Sequence, residues 1–145
     1  MKIYLAARYS RRVELCTYRF QLEQKGHTVT SRWLNGTHEL DGSGLSVEAS
    51  KEARQRFAIE DRDDVLSADL LIAFTEVPRS NNSRGGRHVE LGMAIARPDI
   101  AVVVIGPKEN VFCFLPELEV YETFYDFLRH GKIDSMGVAE SLWNS

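Results

Sequence analysis

Three short apolar runs constrain this chain more than any other feature: Lys2 to Ala7 (KIYLAA), Leu70 to Phe74 (LLIAF) and Ile100 to Ile105 (IAVVVI). Runs of this length without polar alternation read as strands buried on both faces, the habit of parallel sheets. The first is followed by Glu14 to Lys25, an amphipathic helical pattern stopped by Gly26, with Ser10 as a candidate N-cap. His27 to Arg32 (HTVTSR) then alternates β-branched residues as a second strand. Strand, helix and strand within about thirty residues make a right-handed βαβ unit. After the run ending at Ile105, Val111 to Leu115 and Leu118 to Tyr121 point to a short fifth strand preceded by a turn around Pro116. Thr123 to His130 reads as a closing helix capped by Gly131, and the tail from Lys132 to Ser145 holds Trp143 and little pattern. The expected fold is α/β: one domain, residues 1–145, in three layers on a four- or five-stranded parallel sheet of the flavodoxin or Rossmann-like kind.

Composition narrows the function classes. The 145 residues carry 18 basic and 21 acidic side chains, so no basic surface speaks for a nucleic-acid polymer. No apolar run approaches a membrane span and no signal peptide opens the chain, so no membrane partner and a cytoplasmic setting are expected. Cys16 and Cys113 lie far apart, which argues against a structural disulfide or zinc site. Cys16 shares a helical face with Val13 and Phe20, a face that reads as core.

The stretch Ser80 to Ala96 (SNNSRGGRHVELGMAIA) carries the chemistry. Its first six residues are poor at regular structure, and the rest reads as helix with Val89, Met93 and Ala96 recurring on one face, widened by Ala94 and Ile95. Strand, small-residue loop and helix in that order aim free N–H groups at whatever lies over the strand end, an arrangement that favours phosphates. Glu90 falls near the start of that helix. It either complements the helix dipole or faces the ligand, and spacing alone leaves both open.

Two further segments bear on the site. From Trp33 to about Val47 no period holds, and a loop that long leaving a strand end reads as a lid or pocket wall. Glu48 to Ser67 is helical, with Phe57, Ala58, Ile59, Val65 and Leu66 as candidate core residues. Glu60, Asp63 and Asp64 read as a solvated face, whereas Asp61, eight residues before Asp69, can sit at the mouth of the site. The chain lacks GxxxxGK[ST], a GxGxxG after the first strand, HExxH and GxSxG, which leaves carboxylate chemistry beside a phosphate-friendly loop.

Taken in order, Lys2-Ile3-Tyr4-Leu5-Ala6-Ala7, Asp61 before Ala68-Asp69-Leu70, Gly86-x-x-x-Glu90-x-Gly92, and Asn110-Val111-Phe112 to Leu115-Pro116 with Tyr121 resemble the nucleoside 2-deoxyribosyltransferase family. Its relatives include the 2'-deoxynucleoside 5'-monophosphate and hydroxymethyl-pyrimidine nucleotide N-glycosidases. The resemblance implies a nucleophilic glutamate at Glu90, a tyrosine at Tyr4 that hydrogen-bonds it, and an aspartate near the leaving base at Asp61. It also implies a small nucleoside or nucleotide substrate, at least a homodimer, and no cofactor or metal.

The departures from the family pattern carry information of their own. Many transferases have a glycine where this chain has His88, and an acid where it has Arg84. A base in place of an acid at the rim suits an anionic substrate. Arg8, Ser10, Arg11 and Arg12, with Ser83 and the Gly85-Gly86 amides, are candidates to surround a 5'-phosphate, while Tyr9, Trp33 and His88 complete the substrate-contacting set. The expected activity is hydrolysis of a (deoxy)nucleoside 5'-monophosphate at its base–sugar bond. Base exchange by a deoxyribosyltransferase is the close alternative. A cytokinin-activating type of phosphoribohydrolase and a nucleotide-binding domain without chemistry stand further off.

Overall fold

The computed structural model describes residues 1–36, 47–81, 84–131 and 133. Five strands form one parallel sheet: β1 (Lys2–Ala6), β2 (Thr28–Val29), β3 (Leu70–Phe74), β4 (Ala101–Ile105) and β5 (Glu119–Tyr121). Their spatial order is β2-β1-β3-β4-β5. The three apolar runs are the three central strands. Leu70 to Ile72 have no exposed surface, and Ile3 to Ala6 are as fully enclosed. β1 sets Tyr4 opposite Leu71 and Ala6 opposite Ala73, and β3 sets Phe74 opposite Ile105.

Among the described residues, α1 (Arg12–Gln24), α2 (Val47–Leu66) and α3 (Gly86–Ile95) link the strands, and α4 (Phe124–His130) follows β5. α2 packs beside α3, while α1 meets α4 through the stacked rings of Tyr18 and Phe124, 4.3 Å apart. Right-handed crossovers put these two pairs on opposite faces of the sheet. The order in which the chain lays down its strands reverses between β1 and β3, and open α/β sheets bind their ligands in the crevice at such a point. Among the described residues, no helix is long and apolar enough to cross a membrane.

Several expectations need correcting. β2 is two residues long, not six, and Arg32–Asn35 forms a single 3-10 turn. Side chains take over from the ladder there: Ser31 Oγ accepts from Leu5 N–H at 2.7 Å, and Trp33 Nε1 donates to Leu5 C=O at 2.9 Å. Of the Val13–Cys16–Phe20 face of α1, Val13 and Phe20 are exposed and Cys16 packs, partly buried, against the core; Leu15 and Leu22 are the helix's buried residues. Ser10 lies inside a 3-10 turn, Tyr9–Arg11, and does not cap α1. On α2, Ile59 and Leu66 are exposed and Ala58 is on the surface, while Val65 is buried. Asp64 is buried rather than solvated, because it accepts from both N–H and Nε of Arg32 at 3.0 Å. On α3 the inward residues are Arg87, Leu91 and Ala94, and Val89 is exposed. Most of the expected lid, the Ser83 position and the tail with Trp143 lie outside the described residues.

Candidate active site

A cleft of about 350 Å³ opens at the β1/β3 reversal. Three stretches of chain build it. The end of β1 leads into Ala7, Arg8 and Tyr9; α2 contributes Arg54, Phe57, Ala58 and Asp61; and the start of α3 contributes Arg84, Gly85, Gly86, Arg87 and Glu90. Trp33 closes the cleft on the β2 side, its ring 6.0 Å from that of Tyr9. The spacing of Arg54, Phe57, Ala58 and Asp61 is one face of a helix, so α2 presents a cation, an aromatic ring and a carboxyl group along one wall.

Glu90 is the fifth residue of α3 and lies on the cleft. Behind it the fully buried Tyr4 of β1 donates its phenolic O–H to Glu90 Oε2. That bond holds one carboxylate oxygen against the sheet. Burial pushes the Glu90 carboxyl up to about 8, because the charged form loses hydration that nothing else fully replaces. α3 follows Gly85, a left-handed residue with φ of 86° that has no side chain to cap it. The first N–H groups of a helix have no intrahelical partner, and Gly85, Gly86 and Arg87 at the positive end of α3 line the cleft.

Among the residues expected from sequence, Glu90, Asp61, Arg8, Tyr9, Trp33, Arg84, Gly85 and Gly86 line this cleft, with Tyr4 directly beneath. Ser10, Arg11 and His88 do not. Arg11 turns away to bind Glu14 through Nε at 3.0 Å and Nη2 at 2.7 Å, and Glu76 through Nη1 at 2.8 Å. Arg12 donates to the Leu34 carbonyl at 3.1 Å. His88 lies on a separate apolar groove with Leu91, Ile95 and Phe112, its ring 3.4 Å from the Asn110 amide. Arg54 and Arg87 line the cleft and were not singled out from sequence, and Phe57 and Ala58, expected in the core, line it as well. The i, i+3, i+4, i+7 spacing back from Asp61 was the signal available for Arg54, Phe57 and Ala58. Among the described residues no group of three His, Cys, Asp or Glu is placed to hold a metal.

The fold can be compared with solved structures. The 2-deoxyribosyltransferase of Bacillus psychrosaccharolyticus, described as a biocatalyst for nucleoside synthesis, superposes with a TM-score of 0.59 at 20% identity, over 93% of this chain and 95% of that one. The CMP N-glycosidase BcmB of Clostridium botulinum superposes with a TM-score of 0.57 at 20% identity, over 93% of this chain and 99% of that one. This chain shares their fold. No protein-family model and no curated protein matches the sequence. The likeness in fold nevertheless spans almost the whole chain.

Proposed function

We propose that this protein belongs with the nucleoside 2-deoxyribosyltransferase-like enzymes and hydrolyses the base–sugar bond of a (deoxy)nucleoside 5'-monophosphate. The observation that carries this reading is Glu90 on the cleft, tied to Tyr4, with Asp61 lining the same cleft. Glu90 attacks C1' as the C1'–N bond breaks, giving a glycosyl ester, while Asp61 passes its carboxyl proton to the departing base. Water then attacks C1' and loses its proton to the Asp61 carboxylate, and Glu90 leaves. The products are a free base and a sugar 5-phosphate. A carboxylate whose conjugate acid is as weak as that of Glu90 is a stronger nucleophile than an ordinary one.

The choice of a monophosphate rests on charge. Arg8, Arg54 and Arg84 line the cleft with the start of α3. Arg54 and Arg84 form no ion pair among the described residues, so their charge is available to an anion. Base exchange remains the second reading, since the fold likeness includes a 2-deoxyribosyltransferase.

The test is product analysis by chromatography and mass spectrometry on nucleosides and their 5'-monophosphates, with and without a second free base, beside Glu90→Ala. Free base from monophosphates alone, lost in Glu90→Ala, is the expected result. A new nucleoside formed only when base is added would make the protein a transferase. Binding without cleavage across the panel would favour a domain that keeps the fold without the chemistry.

A further inference from the structure

Arg87 is the cation nearest Glu90 in sequence, one turn before it on α3, and both line the cleft. It does not reach for a ligand. Its Nη1 donates to Glu109 Oε1 at 2.5 Å and its Nη2 to Glu109 Oε2 at 2.7 Å, and its Nε is closed off from solvent. The side chains of both partners are at least nine-tenths buried. Glu109 comes from the loop after β4, and its Oε1 also accepts the Glu76 N–H at 3.1 Å. Glu76 in turn pairs with Arg8, at 3.2 Å, on the cleft. One carboxylate thus ties the start of α3 to the segment that follows β3 and, through Glu76, to the first loop.

We infer that Glu109 is a positioning residue for this cleft: by holding Arg87 through both Nη atoms it fixes the start of α3 and compensates a buried cation one turn from Glu90. The inference rests on the reading of Glu90 as the reacting carboxylate for its consequence, though not for its geometry. The Arg87 guanidinium holds the Glu109 carboxyl below its ordinary value, so the compensating charge is present across neutral pH. The shift at Glu90 has burial as its cause. The charged and titratable groups facing Glu90 are Tyr4 from β1, Arg8 and Tyr9 from the loop after it, Arg54 and Asp61 from α2, and Arg84 and Arg87 from the start of α3. Changing Glu109 removes none of these, but besides Arg87 it also releases His88, whose Nε2 lies 3.8 Å from Glu109 Oε2.

The experiment is a carbon-13 NMR titration of the Glu90 carboxyl, assigned by its loss in Glu90→Gln, in the full chain without substrate. In Glu109→Gln, Arg87 becomes an uncompensated cation, and the Glu90 midpoint falls by about one pH unit. Glu109→Asp recovers most of the difference. Arg87→Met leaves a bare carboxylate in place of a pair and moves the midpoint the other way or not at all, which keeps the inference testable should Glu109→Gln fold poorly. An unmoved midpoint in Glu109→Gln, or the same downward shift in Arg87→Met, overturns the inference. The readout needs no turnover, so a shifted midpoint in a protein that cleaves nothing would support the role of Glu109 and remove only the hydrolase reading.

Discussion

The Tyr4 hydroxyl donates to Oε2 of Glu90 across 86 residues of sequence, joining the first strand to the helix that follows the third. Tyr4 has no exposed surface, so the bond is shielded from competing water and the phenol has little freedom to leave it. A hydrogen bond to one carboxylate oxygen leaves the other to approach an electrophilic carbon along a fixed direction.

Tyr4→Phe keeps the ring and deletes the donor. The expected result is a fall in kcat of about 10- to 100-fold with KM nearly unchanged, because the lost contact orients the nucleophile and does not hold the substrate. Steady-state kinetics of base release measure both. A thermal melt should show a loss of only about 1 kcal/mol, the usual net worth of one hydrogen bond.

The phosphate reading separates arginines that lie close in sequence. Arg84→Ala or Arg54→Ala should raise KM for a 5'-monophosphate about tenfold, the worth of one charge-assisted contact. The same variants should barely alter the turnover of an unphosphorylated nucleoside. Arg11→Ala should leave both parameters near those of the unchanged protein, since Arg11 already serves Glu14 and Glu76. An equal effect of Arg84→Ala on nucleosides and nucleotides would place Arg84 against the sugar or base instead.

The central sheet was legible because β1, β3 and β4 are uniformly apolar, and a strand buried on both faces has no other pattern to show. Glu90, Tyr4 and Asp61 could be picked out through the spacing of family-like motifs, not through periodicity. Local pattern failed wherever a distant partner decides. Arg87 points inward and Val89 outward on α3 because Glu109, 22 residues on, accepts the guanidinium. Asp64 is buried for the same kind of reason, with Arg32 as its partner. Arg11, by its place after β1, and His88, by its place in the family pattern before Glu90, looked like site residues, but Glu14, Glu76 and Asn110 give them other work.

The shortened β2 makes a stability prediction. Ser31 replaces a ladder residue by accepting from the buried Leu5 N–H. Ser31→Ala removes that acceptor and leaves the N–H unpaired among apolar side chains, which costs about 1–3 kcal/mol. Denaturant unfolding should show a lower midpoint with an unchanged slope. A loss below about 0.5 kcal/mol would mean that another acceptor reaches Leu5 N–H when the hydroxyl is gone.

The raised Glu90 carboxyl links activity to stability through pH. Only its ionised form attacks, so kcat/KM should climb with pH up to about 8, the value to which burial pushes the carboxyl, and then level. Folding runs the opposite way. The group is a weaker acid when folded than when unfolded, so its contribution to stability is fully present below the ordinary carboxylate range and is lost as pH rises through about 8. Glu90→Gln cannot ionise and should escape that loss. Its stability should match that of the unchanged protein near pH 4, exceed it increasingly between about pH 5 and 8, by a few kcal/mol, on the order of 2–4, and hold that gap above, with Tm following the same course. Thermal melts of the two proteins across this range test the point directly. A constant gap at all pH values would mean that Glu90 titrates as an ordinary surface carboxylate, and the climb in kcat/KM would then have to come from a different group in the cleft.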